Sequence, residues 1–126
     1  MKIQSIGKLM AIPALLLASA RVPAEEHTEE AIRHAGQAAR ASGDSASVKE
    51  HATEALRHLD AAKAANRGNP EALQHLRQGE ANLNEAISHA RRYNSQSAGE
   101  EAGDARHHLE QAGGGQHPAP PSAPRP

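Results

Sequence analysis

Ser47-Val48-Lys49-Glu50-His51-Ala52-Thr53-Glu54-Ala55-Leu56-Arg57-His58-Leu59 carries the signals that decide the fold. Its apolar residues return every three or four positions, the period of a helix with one face turned inward. Ser47 and Glu50 have the spacing of a capping box, in which each side chain satisfies a backbone donor near the other. Helical residues advance about 100° each, so Val48, Ala52, Ala55 and Leu59 gather in an arc centred roughly 50° from Leu56. His58 then falls roughly 110° from that centre, with Glu54 further round towards solvent. The histidine is therefore expected on the rim of the helix, where its ring stays reachable.

Turn signals outward from this stretch divide the chain into four such helices. The first is expected from about His27 to Ala41, stopping at Ser42-Gly43-Asp44, and the second ends near Asn66-Arg67-Gly68. The third opens at Asn69-Pro70, an N-cap followed by proline at the first helical position, and runs to about Tyr93. Ser97 and Glu100 form another capping box, opening a fourth helix that ends at Gly113-Gly114-Gly115. Such short connections favour antiparallel neighbours, so the fold class is all-α, an up-down-up-down four-helix bundle. The core is expected from Ile32, Val48, Leu56, Leu59, Leu73, Leu76, Leu83, Ile87, Tyr93 and Leu109, with alanine filling the remaining apolar face.

The flanking residues read differently. Lys2 and Lys8 precede a short apolar run, Leu9 to Ala18, that only Pro13 interrupts. Small-residue cleavage sites follow at Ala18-Ser19-Ala20 and Val22-Pro23-Ala24. This is the pattern of a secretory leader, too short to span a bilayer. The expected organisation is a leader over 1–24, a bundle over 25–112 and a disordered Gly/Pro-rich tail over 113–126. Export to the periplasm is expected, with no stable membrane insertion.

Composition narrows the chemistry. The chain has no cysteine, and both methionines, Met1 and Met10, lie in the leader. A processed chain has no sulfur ligand, which disfavours Cu(I) and leaves ions that accept imidazole and carboxylate: Cu(II), Ni(II) and Zn(II). Cleavage after Ala24 removes Lys2, Lys8 and Arg21 from the 14 basic residues and none of the 15 acidic ones. A mildly acidic chain whose one aromatic residue is Tyr93 offers nucleic acid neither a basic patch nor a stacking platform.

A short unit recurs through the helices: Glu30-Ala31-Ile32-Arg33-His34, Glu54-Ala55-Leu56-Arg57-His58, Glu71-Ala72-Leu73-Gln74-His75 and Glu85-Ala86-Ile87-Ser88-His89. Asp104-Ala105-Arg106-His107-His108 is a looser fifth copy. His27, His34, His51, His58, His75, His89 and His108 keep one heptad slot, leaving only His107 and His117 of the nine histidines outside it. Residues four apart on a helix are neighbours, so Glu30, Glu54, Glu71, Glu85 and Asp104 can each offer an oxygen beside an imidazole nitrogen. A lone pair of this kind is ordinary helix-surface chemistry, but helix stability alone is served equally well by lysine or arginine. The repetition of histidine points to metal.

A second motif depends on processing. Cleavage after Ala24 makes Glu25-Glu26-His27 the amino terminus, where the α-amine, two amides and a third-position imidazole close a square-planar site suited to Cu(II) or Ni(II). Cleavage after Ala20 abolishes it. Catalytic patterns are missing: there is no nucleophile elbow, no phosphate-binding glycine loop and no zinc-protease His-x-x-x-His. The rival to a metal-binding role is an exported helical adaptor or stress chaperone whose histidines are surface filler.

Residues His27 to Ala112 resemble the small metal-binding protein family of nitrifying bacteria. The resemblance rests on His27-Thr28-Glu29-Glu30-Ala31-Ile32-Arg33-His34-Ala35, Leu56-Arg57-His58-Leu59, Leu73-Gln74-His75-Leu76 and the heptad rhythm. It implies a periplasmic four-helix bundle that binds several divalent or trivalent ions, chiefly Cu(II), in copper handling or tolerance. This chain departs from the family pattern where Ala41, Ala65, Asn82 and Glu101 occupy comparable slots, and its Pro-rich tail is an addition.

Overall fold

The computed structural model describes residues 23–113, all helix and short connection, with no strand among them. The expected leader up to residue 22 and the tail from residue 114 lie outside the described residues. Four helices follow one another: α1 (Pro23–Arg40), α2 (Ser45–Ala65), α3 (Pro70–Arg91) and α4 (Ser95–Ala112). α1 begins a turn before the expected His27 and includes Pro23 and Ala24 of the second expected cleavage site. No helix among the described residues is long and apolar enough to cross a membrane.

The caps correct two expectations. Asp44, not Ser47, caps α2: its carboxylate accepts from the Ala46 and Ser47 N–H groups at 3.0 and 3.3 Å and from the Ser47 hydroxyl at 2.9 Å. Asn94, not Ser97, caps α4, accepting from the Ser97 N–H at 3.3 Å. In both places a residue three positions upstream offers the same acceptor chemistry, and at α2 that acceptor is charged. Asn69 caps α3 as expected, accepting from the Ala72 N–H at 3.1 Å, with Pro70 in the first turn.

The α3–α4 connection holds the main departure from the expected core. Tyr93 is 88% exposed and adopts φ 60°, in the left-handed region. Its N–H donates to the Ala90 carbonyl at 2.9 Å, and the Asn94 N–H donates to the His89 carbonyl at 2.9 Å. These two bonds make a Schellman motif, whose left-handed position usually belongs to glycine. Tyr93 ends α3 instead of filling the interior, and Asn94 closes one helix while capping the next.

Each helix packs against its neighbour in sequence, and α4 closes back on α1. Connections of three or four residues make these neighbours antiparallel. Leu59, Leu76, Leu83, Leu109 and Val48 are fully buried, surrounded by alanines from all four helices. Ile32, Leu56, Leu73 and Ile87 pack along the edge of that cluster, half-buried. An alanine interior lets backbones approach closely, and Gly99 shows how closely. A Cβ there would sit 2.3 Å from the Ser42 Cβ and 3.1 Å from its Cα, so the α1–α2 connection rests on α4 only because Gly99 has no side chain. Polar links tie the outer seams: Lys63 Nζ donates to Glu80 Oε1 at 2.7 Å between α2 and α3, and Asn82 Nδ2 to Glu101 Oε2 at 2.7 Å between α3 and α4.

Candidate metal centre

All seven histidines of the heptad slot are half-buried, whereas His107 is exposed. The rim position expected from the helical angle is therefore observed. What the periodicity of a single helix does not reveal is how the rims meet. His34 lies seven residues before Ala41, and His51 seven after Asp44; His27 and His58 lie a further seven out on either side. An antiparallel hairpin folded at 41–44 sets these residues opposite one another.

The result is a ladder of four imidazoles along the seam between α1 and α2. Ring centroids run His27 to His58 at 5.7 Å, His58 to His34 at 5.5 Å and His34 to His51 at 6.1 Å, the middle pair nearly parallel at 9°. The His27 and His58 Nδ1 atoms are 3.5 Å apart. At metal–nitrogen lengths near 2.0–2.1 Å, two nitrogens on one ion lie at most about 4 Å apart, so this pair already meets the limit. Beside it, Glu30, His34 and His58 bring one ligand atom each within 4.8 Å of one another. An inward shift of under about an ångström would close that group on an ion.

Glu30 is an anion in this setting. The hydrogen bond from Arg33, with the charges of Arg33, His58 and His34, holds its carboxyl below the usual range. One oxygen, Oε1, accepts from Arg33 and lies 3.9 Å from His34 Nε2. His34 Nδ1 is buried and has no hydrogen-bond partner among the described residues. A buried nitrogen without a partner is costly unless something binds it, and a cation is one such ligand.

The other expected ligands divide. His75 and His108 face each other across the α3–α4 seam, centroids 6.5 Å apart, both Nδ1 atoms buried and without a partner among the described residues. His75 lies sixteen residues before Arg91 and His108 thirteen after Ser95, whereas His27 and His58 each lie thirteen from Arg40 and Ser45; seven residues nearer the turn on each helix, Asn82–Glu101 stands where a second rung would fall, as His34–His51 does at the α1–α2 seam. His107 adjoins His108 at 6.1 Å. Among the described residues the His89 ring approaches Glu85, at 4.0 Å, and no second histidine. Glu54 is turned to Arg57 at 3.2 Å, while Glu71 and Asp104 are exposed and meet no polar partner among the described residues. Among the described residues, glutamate and histidine four apart approach each other at Glu30–His34, 3.9 Å, and Glu85–His89, 4.0 Å. Across the seams, rings from two helices come to 5.5–6.5 Å and set histidines of different copies of the repeat side by side.

In the full chain Glu25, Glu26 and His27 belong to α1, and His27 faces His58.

Fold and seam together define a helical bundle that presents imidazole and carboxylate to metal ions. The chain belongs to the small metal-binding protein family, whose model matches residues 1–112. No curated protein and no solved structure matches it.

Proposed function

We propose that this protein is an exported, periplasmic buffer that sequesters divalent metal ions, chiefly Cu(II) and less selectively Ni(II) or Zn(II), and that it catalyses no reaction. The observation carrying this reading is the convergence of Glu30, His34 and His58 at the α1–α2 seam, with His27 and His51 continuing it at either end. Borderline ions favour that donor set, and beyond Met10 the chain contains no sulfur to attract Cu(I). The leader read at the amino terminus supports an extracytoplasmic site of action, where a buffer meets incoming metal. Because imidazole binds a metal only when neutral, capture weakens below roughly pH 6.

The test is titration of the purified protein with Cu(II) at neutral pH, read by calorimetry. At least one equivalent should bind with micromolar affinity or better. Failure to retain one equivalent would remove the reading.

A further inference from the structure

The ladder strings its four imidazoles over three gaps of 5.5–6.1 Å instead of gathering them round one point, and its rings are shared between neighbouring gaps. A neutral imidazole has one nitrogen lone pair, its other ring nitrogen carrying the proton. Without losing that proton, each ring can therefore serve one ion at a time. His58 takes part in the gap with His27, through Nδ1 at 3.5 Å, and in the group with Glu30 and His34. His34 takes part in that group and stands 6.1 Å from His51. The central group needs His34 and His58 together. The two outer gaps, His27/His58 and His34/His51, need them apart.

We propose that the α1–α2 seam has two mutually exclusive loading states: one ion held centrally by Glu30, His34 and His58, or two ions held in the outer gaps by His27/His58 and His34/His51. This inference rests on the metal-binding reading above and concerns how the same seam fills. At low metal, three donors including an anionic oxygen outbid two neutral ones, so the first ion sits centrally. As metal rises, a second ion is accommodated when His58 turns to His27, His34 turns to His51 and Glu30 lets go. The second ion costs the first its carboxylate, so it binds more weakly. A buffer of this kind holds its first ion tightly and gains capacity only when metal is abundant. No electron changes hands in the exchange, and a ring that turns its other nitrogen to an ion gives up the proton there to water and takes one back on the nitrogen it frees.

The experiment isolates the seam by replacing His75, His89, His107, His108 and His117 with glutamine in the full chain, then titrates Cu(II) by calorimetry and electron paramagnetic resonance. The seam should take two ions in unequal steps, and the spectrum of the first equivalent should vanish as the second is added. Adding His27→Gln and His51→Gln should cut the capacity to one ion with the first-equivalent spectrum retained. Glu30→Gln should weaken the first step by about tenfold or more and leave the capacity at two. The inference is overturned if the first-equivalent spectrum persists beside the second, or if the variant lacking His27 and His51 still takes two ions. It is equally overturned if the isolated seam saturates at one ion. The spectral outcome comes from the seam with all four ladder histidines, so it decides the matter even if the further variants fold poorly. If the protein with all its histidines takes up no Cu(II), the metal-binding reading fails and this inference with it.

Discussion

His58 is the residue through which metal and fold are most tightly coupled, because it meets both His27 and His34 and so belongs to either way of filling the seam. A ligand bound only by the folded state stabilises it by about 2.7 kcal/mol when present at a hundred times its dissociation constant. For a bundle of this size each kcal/mol moves the melting temperature by about 4–8 °C, so saturating Cu(II) should raise it by about 10–20 °C over a chelator-treated sample. His58→Gln should erase most of that gain. It should leave the metal-free melting temperature nearly unchanged, since the ring is half-buried at the rim and outside the leucine and alanine cluster. His89→Gln is the control, because His89 meets no second histidine among the described residues, and it should keep the gain. Thermal unfolding followed by far-ultraviolet circular dichroism, with and without Cu(II), reads all three proteins. Equal losses in the two variants would refute the argument that cross-helix imidazoles carry the coupling, as would a melting curve indifferent to saturating metal.

Tyr93→Gly should stabilise the metal-free protein by about 1 kcal/mol, because a side chain in the left-handed region is strained and this one, nearly fully exposed, contributes no packing; urea denaturation measures it. The Ser47 hydroxyl and amide, with the Ala46 amide, hold the Asp44 carboxyl below its usual range. Its stabilising contribution is therefore complete above the unfolded value, near 4, and is lost as pH falls through the lower folded value. The melting-temperature difference between wild type and Asp44→Ala should accordingly be constant from pH 5 to 7 and shrink below about pH 4; a difference that widens on acidification would contradict the cap. Replacing the Asn82–Glu101 link by Asn82→His with Glu101→His should extend the His75–His108 rung into a second ladder and raise Cu(II) capacity by at least one equivalent in calorimetric titration. An unchanged capacity would show that rung position does not govern binding.

Four helices, their approximate limits and their inward faces were legible in the sequence because those properties are local. A 3.6-residue period, an N-cap at Asn69 and a glycine stop after Ala112 act within a turn or two of the chain, and Val48, Ala52, Ala55 and Leu59 are buried as their angles require. The half-buried rim of the seven heptad histidines follows from the same arithmetic. Where local chemistry offers two equivalent solutions, sequence alone did not separate them: Ser47 and Ser97 have capping spacing, yet Asp44 and Asn94 cap. Tyr93 looked like core on hydrophobicity, but a helix ending at Arg91 places it at the turn.

The seam itself was decided by tertiary structure. Glu30 and Glu54 open the same five-residue unit and each meets the arginine three positions on, yet among the described residues only Glu30 also stands beside two imidazoles. Nothing within the unit distinguishes them. The difference arises from what the neighbouring helix places opposite, and that depends on where the hairpin folds. Helical phase is set by the backbone of a few residues; proximity across a seam is set by the packing of residues thirty apart, such as His27 and His58, where a shift of one turn at Ser42-Gly43 would pair each ring with a different neighbour.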